Sequence, residues 1–191
     1  MPFIIHVIRF NSCNSYFPSL FLRMRIFLLG FMGSGKSHWG RQWSDVYDLK
    51  FIDLDEKIEN QEHKSITEIF ENEGEDYFRQ KEAILLRSLI KEDNCIISCG
   101  GGTPCFFDNM AWMNGHGTTV FLDASPQHLL HNITKGKNKR PLVQNHNEEE
   151  LLFFIEQKLK ERKKYYAEAK FILPKENLGI ESFKKIISPL P

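Results

Sequence analysis

The sequence has no excess of either charge and no cysteine or histidine pattern typical of a metal site. Its 25 Lys and Arg residues balance its 25 Asp and Glu residues, so bulk charge suggests neither nucleic acid nor an anionic membrane as a partner. The seven histidines include no pair at metal-ligand spacing, and no C-x-x-C motif occurs among the four cysteines, Cys13, Cys95, Cys99 and Cys105. We therefore expect reduced thiols in a cytoplasmic protein, without disulfides or a zinc site.

Residues 1–23 lack the features of a membrane span or a secretory signal. They contain no uninterrupted apolar run long enough to cross a bilayer, and no basic start precedes a clean apolar core. Met24 stands directly before the first predicted strand. We expect residues 1–23 to be disordered or to lie upstream of the natural start, with a targeting segment as the alternative. We expect residues 24–191 to form one domain.

The stretch that organises the chain is residues 30–37, Gly-Phe-Met-Gly-Ser-Gly-Lys-Ser, called the phosphate loop below. It fits the pattern G-x-x-x-x-G-K-[ST] at every fixed position, and it stands between a short apolar run and a helix-prone run, as the motif requires. In such a loop, backbone N–H groups face phosphate oxygens, here those of Gly33, Ser34 and Gly35. Lys36 would reach the β- and γ-phosphates, and Ser37 offers a hydroxyl to Mg²⁺.

Strand and helix signals alternate along the rest of the chain. Strands are predicted at residues 25–29, 51–55, 95–99, 118–123 and 171–173. Helices are predicted at residues 37–46, from Ser65 with a capping box to Glu68, at 75–91, from Pro126 to about 131, at 148–169 and at 183–187. This alternation indicates an α/β domain with a mostly parallel sheet.

Two carboxylates follow the second predicted strand, at Asp53 and Asp55. Ligands collect at the carboxyl ends of the strands in α/β sheets. There, Asp53 would hold the Mg²⁺ ion, through water, and Asp55 would accept a hydrogen bond from a substrate hydroxyl. Acidic residues are also common in the first turn of a helix, where they complement the helix dipole. Spacing alone does not separate the two interpretations.

Arg79 and three consecutive glycines are unusual in their local context. Arg79 lies in the first turn of a predicted helix, where the dipole disfavours a cation unless an anion, Glu75 or Glu82 pairs with it. A bound anion and an exposed salt bridge both fit that position. The predicted strand at residues 95–99 runs directly into Gly100-Gly101-Gly102. Such a run costs chain entropy, which indicates that some group approaches the backbone closely.

A basic segment follows the fourth predicted strand and its helix. Four cations fall within six positions, Lys135, Lys137, Lys139 and Arg140, without apolar periodicity. The segment is either a solvated loop or a lid that closes over a transferring phosphoryl group and brings positive charge to it. Pro141 restricts the backbone beside Arg140 and holds that guanidinium in place.

Together these motifs resemble the shikimate kinase family. The resemblance covers residue 24 to the last predicted helix and rests on six motifs in one order: Gly30-x-Met32-Gly33-x-Gly35-Lys36-Ser37, Asp53-x-Asp55, Phe78-Arg79, Gly100-Gly101-Gly102, Arg140-Pro141-Leu142, and Arg162 ahead of Tyr165-Tyr166. It implies a three-layer α/β/α fold of the P-loop kinase type, with a central five-stranded parallel sheet, substrate-binding helices and a lid at about residues 134–147. It also implies ATP-dependent phosphorylation of the shikimate 3-hydroxyl, giving shikimate 3-phosphate and ADP, in the pathway to chorismate and aromatic amino acids.

The resemblance assigns a role to each matched residue. On the acceptor side, Asp55 would bind the shikimate hydroxyls and is the candidate base, Arg79 and Arg162 would hold the carboxylate, and Gly100, Gly101 and Gly102 would present N–H groups near the ring. On the donor side, the matched residues are Gly33, Ser34, Gly35, Lys36, Ser37, Asp53 and Arg140. They would serve ATP, one Mg²⁺ ion per subunit and the transferring phosphoryl group. We expect a monomer whose partners are shikimate and ATP, with no nucleic acid and no membrane.

One position departs from the family pattern. The family usually has an Arg seven residues before the lid Arg, stacked on the adenine ring, whereas this chain has Ile133 there. Unless Lys135 or Lys137 replaces that guanidinium, we expect weaker or less selective nucleotide binding, because stacked Arg and Lys are not equivalent.

Two other functions share parts of this pattern. A gluconate or nucleoside monophosphate kinase would have the phosphate loop and the lid, but it does not explain the set of Arg79, the three glycines and Arg162. A nucleotide-binding module without catalysis would need the phosphate loop but not Asp53, Asp55 and Arg140 as well.

Overall fold

One parallel sheet forms the centre of the protein. The structure is a computed structural model that describes residues 24–135 and 147–188. Its strands are β1 (Arg25–Leu29), β2 (Lys50–Asp53), β3 (Cys95–Ser98), β4 (Thr118–Asp123) and β5 (Phe171–Pro174). Their order in the sheet is β2-β3-β1-β4-β5, and each neighbouring pair is parallel.

Eight α-helices lie within the described ranges, seven of them between strands and the last after β5. They are α1 (Lys36–Tyr47), α2 (Leu54–Glu62), α3 (Ile66–Asn72), α4 (Gly74–Ser88), α5 (Asn109–His116), α6 (Pro126–Lys135), α7 (Glu148–Tyr166) and α8 (Ile180–Ile187). Short 3₁₀ helices lie at Leu89–Lys91, Thr103–Cys105 and Lys175–Asn177. The predicted capping box of Ser65 and Glu68 is present at the start of α3.

The sheet separates two hydrophobic clusters. Strand β1 is wholly buried, and its side chains alternate between the faces because successive residues of a strand point to opposite sides. Phe27 and Leu29 join a cluster with residues of α2, α3, α4 and α5, whereas Ile26 and Leu28 join one with Trp43 of α1 and residues of α8. The predicted three-layer α/β/α architecture with five parallel strands is confirmed.

Two predicted helices end earlier than expected because tertiary contacts draw the chain away. The helix predicted to Lys91 ends at Ser88 and continues as a 3₁₀ turn, whose Ile90 carbonyl accepts a hydrogen bond from Arg25. The helix predicted to residue 169 ends at Tyr166. There the chain turns towards β5, and Lys170 N–H donates to Thr119 Oγ1 of β4.

Several predictions concern residues beyond the described ranges. These are the extension at residues 1–23, most of the proposed lid, and Arg140 with Pro141 and Leu142. The single-domain assignment of residues 24–191 also stays a prediction. Among the helices in the described part of the chain, none combines the length and apolar character needed to cross a membrane.

Arg25 ties the amino end of the sheet together from a buried position. It is 5% exposed. Its Nη1 donates to the His116 carbonyl at 2.7 Å, its Nη2 donates to the Ile90 carbonyl at 2.7 Å, and Nε and Nη2 share the Glu92 carbonyl at 3.0 and 2.7 Å. One guanidinium thus satisfies carbonyl groups from two segments that flank β1.

Replacing Arg25 by Met is expected to destabilise the protein by about 3 kcal/mol, because it leaves several part-buried carbonyl groups without their donor. Chemical denaturation measures the free energy of unfolding. Lys184→Ala is the control, since its ion pair with Glu181 is exposed and exposed pairs contribute little to stability. Equal stabilities of the two variants would contradict this role of Arg25.

Candidate active site

The carboxyl ends of three neighbouring strands meet at one cavity. Ser98 of β3 lies in register with Leu28 of β1 and with Asp53 of β2, so the segments that follow these strands emerge side by side. The cavity has a volume of about 570 Å³. Its lining brings together predicted residues from three separate motifs, Gly33, Gly35, Lys36, Ser37, Asp53, Asp55 and Gly101.

The phosphate loop has the backbone shape that its glycines predict. Gly33 and Gly35 have φ angles of 80° and 93°, in the left-handed region that L side chains rarely adopt. Helix α1 then begins at Lys36, so the positive end of its dipole lies at the cavity. The Lys36 Nζ donates to the carbonyls of Gly30 and Phe31 at 2.9 and 3.0 Å, which holds the ammonium across the loop.

Ser34 turns away from the cavity. The residue is 1% exposed, and its hydroxyl has no hydrogen-bond partner among the described residues. It would lie 2.6 Å from a Cβ atom added to Gly30. The Ser34 N–H donates to the Phe31 carbonyl at 3.1 Å. In this structure, therefore, both polar donors of Ser34 face the protein, and its predicted contact with ATP stays a prediction.

Ser37 and Asp53 form a pair of oxygen donors. Ser37 Oγ donates to Asp53 Oδ2 at 2.7 Å, and the buried Ser98 hydroxyl lies 3.4 Å from Ser37 Oγ. The other oxygen of Asp53 accepts from the backbone N–H of Asp55 at 3.2 Å, so Asp53 caps α2 as well. The helix-terminus interpretation of this aspartate is therefore confirmed, and its role in holding a metal ion stays a prediction.

The chemistry of this pair fits Mg²⁺, which prefers hydroxyl, carboxylate and water oxygens. No group of three or more His, Cys, Asp or Glu side chains within residues 24–135 and 147–188 is placed to hold a metal ion. A cation at Ser37 and Asp53 would therefore share its coordination with phosphate oxygens and water, which is the usual situation for Mg²⁺ at a phosphate site.

Asp55 lies beside the glycine run, together with a buried carboxylate. A Cβ atom added to Gly100 would lie 2.9 Å from Asp55 Oδ1, 2.8 Å from Glu82 Oε1 and 3.1 Å from Thr103 Oγ1. The close approach of side chains that the three glycines predicted is thus present at Gly100. Any larger residue there would displace Asp55 or Glu82.

Arg79 is buried in a network of two carboxylates. It is 7% exposed, so the interpretation as an exposed salt bridge is wrong, although both predicted partners are present. Nη1 donates to Glu82 at 2.9 Å, and Nη2 and Nε donate to Glu75 at 3.0 and 3.1 Å. Burial raises the pKa of Glu82, and the Arg79 charge and the Thr103 hydroxyl oppose that rise by stabilising its ionised form.

The Arg79 guanidinium lies directly against Gly102. A Cβ atom at Gly102 would lie 2.5 Å from Nη2 of Arg79, which no side chain could accept without moving the guanidinium. The rings of Phe106 and Phe78 lie 4.6 and 4.9 Å from the guanidinium carbon, within the range of cation–π attraction. Aromatic and carboxylate contacts therefore fix Arg79 in one place.

Arg162 and Tyr166, one turn apart on α7, reach the middle glycine. A Cβ atom at Gly101 would lie 3.2 Å from Nη1 of Arg162, whose guanidinium carbon lies 5.3 Å from the centre of the Phe31 ring. The Tyr166 hydroxyl donates to the Gly101 carbonyl at 2.6 Å. Burial raises the pKa of Tyr166 to about 12, so this hydroxyl keeps its proton at neutral pH.

Two further predicted positions have different outcomes. Arg140 lies outside the described residues. Ile133 is buried, and its Cγ1 would lie 3.0 Å from a Cβ atom added to Gly33. Ile133 therefore packs against Gly33 of the phosphate loop and joins the hydrophobic cluster that contains Phe31. Lys135 is exposed at the end of α6.

Some residues of the site carried no recognisable sequence signal. Thr103 and Ser98 bond to Glu82 and Ser37, but isolated hydroxyl residues are too common to single out. Asn132 lines the cavity and bonds to the Gly33 carbonyl, 99 residues away in the chain. The sequence supported a prediction for its neighbour Ile133 but none for Asn132.

Comparison with known proteins gives a consistent result. The family model described as shikimate kinase matches residues 32–191. The shikimate kinase of Phocaeicola vulgatus is 43% identical over 154 residues, which cover 81% of this chain and 88% of that protein.

Solved structures agree with the sequence comparison. The shikimate kinase of Bacteroides thetaiotaomicron matches with a TM-score of 0.83 and 37% identity, covering 86% of this chain and 98% of that one. A shikimate kinase from Acinetobacter baumannii in complex with shikimate matches with a TM-score of 0.75 and 30% identity, covering 86% and 93% of the two chains. The chain therefore belongs to the shikimate kinase family, a family of ATP-dependent phosphotransferases.

Proposed function

We propose that this cavity transfers the γ-phosphoryl group of ATP to the 3-hydroxyl of shikimate, the reaction of its family. The observation that carries the assignment is that the phosphate loop, the Ser37–Asp53 pair, Asp55 and Gly101 all line one cavity. Phosphoryl transfer needs little covalent chemistry from the protein. It depends on positioning and on charge stabilisation, which such an arrangement supplies.

The donor half consists of the phosphate loop and its oxygen pair. Lys36 would exchange its contacts with the loop carbonyls for contacts with the β- and γ-phosphates, and the start of α1 would add its dipole. Ser37 and Asp53 would hold one Mg²⁺ ion, Asp53 through water. When bound, that ion would neutralise charge on the β- and γ-phosphate oxygens.

The acceptor half consists of two arginines, the glycine run and Asp55. Three of the five N–H groups of Arg79 are used by Glu75 and Glu82, which leaves one N–H on each terminal nitrogen. That is the number a carboxylate takes when it binds end-on, so Arg79 can hold the shikimate carboxylate without leaving its network. Arg162 would be the second cation for that carboxylate.

Asp55 would accept a hydrogen bond from the attacking hydroxyl. Its carboxylate lies beside Gly100 and near Glu82, so it is placed between the acceptor side of the cavity and the Asp53 cap. Whether it removes the proton or only orients the hydroxyl, the loose transition state demands little of a base. The glycine run would present its backbone close to the ring.

Further features complete the proposal. Arg140, on a lid at about residues 134–147, would approach the transferring phosphoryl group, and its loss would reduce kcat by a factor on the order of 10³ or more. We also expect a monomer located in the cytoplasm, where ATP is available and thiols stay reduced. Cys95, Cys99 and Cys105 are free, which is compatible with that location.

A coupled assay of ADP release is expected to show turnover with Mg-ATP and shikimate, and none with gluconate or nucleoside monophosphates. The reason is that Arg79 and Arg162 would together bind one carboxylate beside a hydroxylated ring. Absence of shikimate-dependent turnover would contradict the proposal. Turnover with gluconate alone would indicate a gluconate kinase instead.

Arg79→Ala is expected to raise the KM for shikimate by roughly 10- to 100-fold and to leave the KM for ATP nearly unchanged, because charge-assisted contacts contribute about 1.5–3 kcal/mol. Steady-state kinetics with each substrate varied in turn makes the comparison. Lys81→Ala is the matched control on α4, since its ion pair with Glu62 lies on another face of the helix. Equal losses for both substrates would show that Arg79 is only structural.

Asp53→Asn is expected to raise the Mg²⁺ concentration for half-maximal activity by roughly 10- to 100-fold. Asn is as good a helix cap as Asp, so the variant removes the charge and keeps the start of α2. Titration of activity with Mg²⁺ at saturating substrates measures the effect, and Ser44→Ala, further along α1, is the control. An unchanged Mg²⁺ requirement would leave Asp53 with the capping role alone.

A further inference from the structure

The peptide group between Gly33 and Ser34, at the tip of the phosphate loop, is held at both ends. Its oxygen accepts a hydrogen bond of 2.7 Å from Nδ2 of Asn132, and its N–H donates to the Phe31 carbonyl at 3.1 Å. Gly33 has a φ of 80°, so its conformation is one that the chain does not adopt by default. The orientation of this peptide group therefore depends on a side chain outside the loop.

Helix α6 presses against the loop tip with two consecutive residues. Asn132 supplies the hydrogen bond, and Ile133 packs its Cγ1 against Gly33. The helix is itself fixed by a small hydrophobic cluster that joins the loop, α6 and α7, formed by Phe31, Ala124, Leu129, Ile133, Leu151 and Ile155. The Asn132 side chain is thus presented from a packed element and not from a loop.

The orientation of the Asn132 amide follows from its partners. The Gly33 oxygen can only accept, so the amide nitrogen has to face it. The same nitrogen lies 2.9 Å from Nε2 of His128, one turn earlier on α6. Because the amide nitrogen only donates, Nε2 has to accept, which requires a neutral imidazole with its proton on Nδ1.

The surroundings of His128 favour the neutral ring. Burial lowers the pKa of His128, electrostatic interactions with Lys175 and His131 lower it further, and Glu176 opposes them. These are the charged and titratable groups that act on the ring, His131 from α6 itself and the other two from the 3₁₀ helix after β5. A protonated Nε2 would instead demand the oxygen of the Asn132 amide and turn its nitrogen away from Gly33.

We propose that Asn132 is a positioning residue for the phosphoryl donor, and that a neutral His128 keeps its amide correctly turned. By holding the Gly33 carbonyl on the α6 side, Asn132 keeps that oxygen away from the phosphate-binding face of the loop. A carbonyl turned to that face would place its negative end against phosphate oxygens. The inference rests on the proposed function of the loop as the ATP site, and neither residue belongs to the G-x-x-x-x-G-K-[ST] pattern.

Asn132→Leu tests the donor directly, because it keeps the approximate size of the side chain and loses the N–H without adding a charge beside the phosphate site. The Kd for MgADP and the KM for ATP are expected to rise about tenfold, the equivalent of one lost hydrogen bond. The KM for shikimate should stay within about twofold of the unaltered protein. Isothermal titration with MgADP in the absence of shikimate measures binding even if shikimate turnover fails, so the two proposals can fail separately.

Variants of His128 test the second part of the proposal, through a conservative substitution that should retain MgADP affinity and through the pH dependence of that affinity. His128→Gln places an amide oxygen near the position of Nε2 and should retain MgADP affinity at neutral pH, whereas His128→Ala should lose several-fold. Between about pH 7.5 and about pH 5.5, the MgADP affinity of the unaltered protein should fall several-fold more than that of His128→Gln. Gln127→Ala, an exposed neighbour on α6, is the control and should follow the unaltered protein.

Wild-type MgADP affinity in Asn132→Leu would overturn the proposal, and so would an equal loss of affinity for both substrates. If Asn132→Leu does not fold, Asn132→Ala and the two His128 variants test the same prediction. An equal pH dependence in His128→Gln and the unaltered protein would remove His128 from the proposal.

Discussion

The register of three parallel strands decides what this site can do. Ser98 of β3 is aligned with Leu28 and with Asp53, so the phosphate loop, the Asp53 carboxylate and the glycine run leave the sheet at one level. Side chains of a strand alternate between faces, and a slip of one residue in β2 would turn Asp53 away from Ser37. The phosphate loop alone does not create a metal site. The site exists because hydrogen bonding between strands fixes where a second segment ends.

The proposed acceptor half contains a buried ion pair, Arg79 with Glu82, whose attraction is offset by the cost of removing both charges from water. Removing Arg79 and Glu82 from water costs several kcal/mol per ion, and apolar replacements of such pairs are often neutral or stabilising. What the pair provides is a guanidinium held against Gly102 before any substrate arrives. Less side-chain entropy is then lost on binding, which is the usual benefit of preorganisation.

Local patterns were enough to predict the sheet, the phosphate loop and the contact of Arg79 with Glu82, because strand alternation and helical spacing are properties of neighbouring residues. They were not enough for contacts set by packing. Tyr166 reaches Gly101 across 65 residues and Asn132 reaches Gly33 across 99, and no period in the sequence encodes either pair. Ile133 shows the same limit. The family pattern associates its position with the adenine ring, whereas the structure shows its side chain packed against Gly33 of the phosphate loop.

The two hydrophobic clusters on opposite faces of the sheet have a consequence for how the enzyme can change. Asp55 and Arg79 are carried by helices that pack on one cluster, whereas α1, which follows the phosphate loop, packs on the other. A substitution in one cluster shifts the elements on its own side, with the rigid sheet between them. If Asp55 and Arg79 bind the acceptor as proposed, substitutions on the first cluster would alter acceptor binding more than they alter the start of α1.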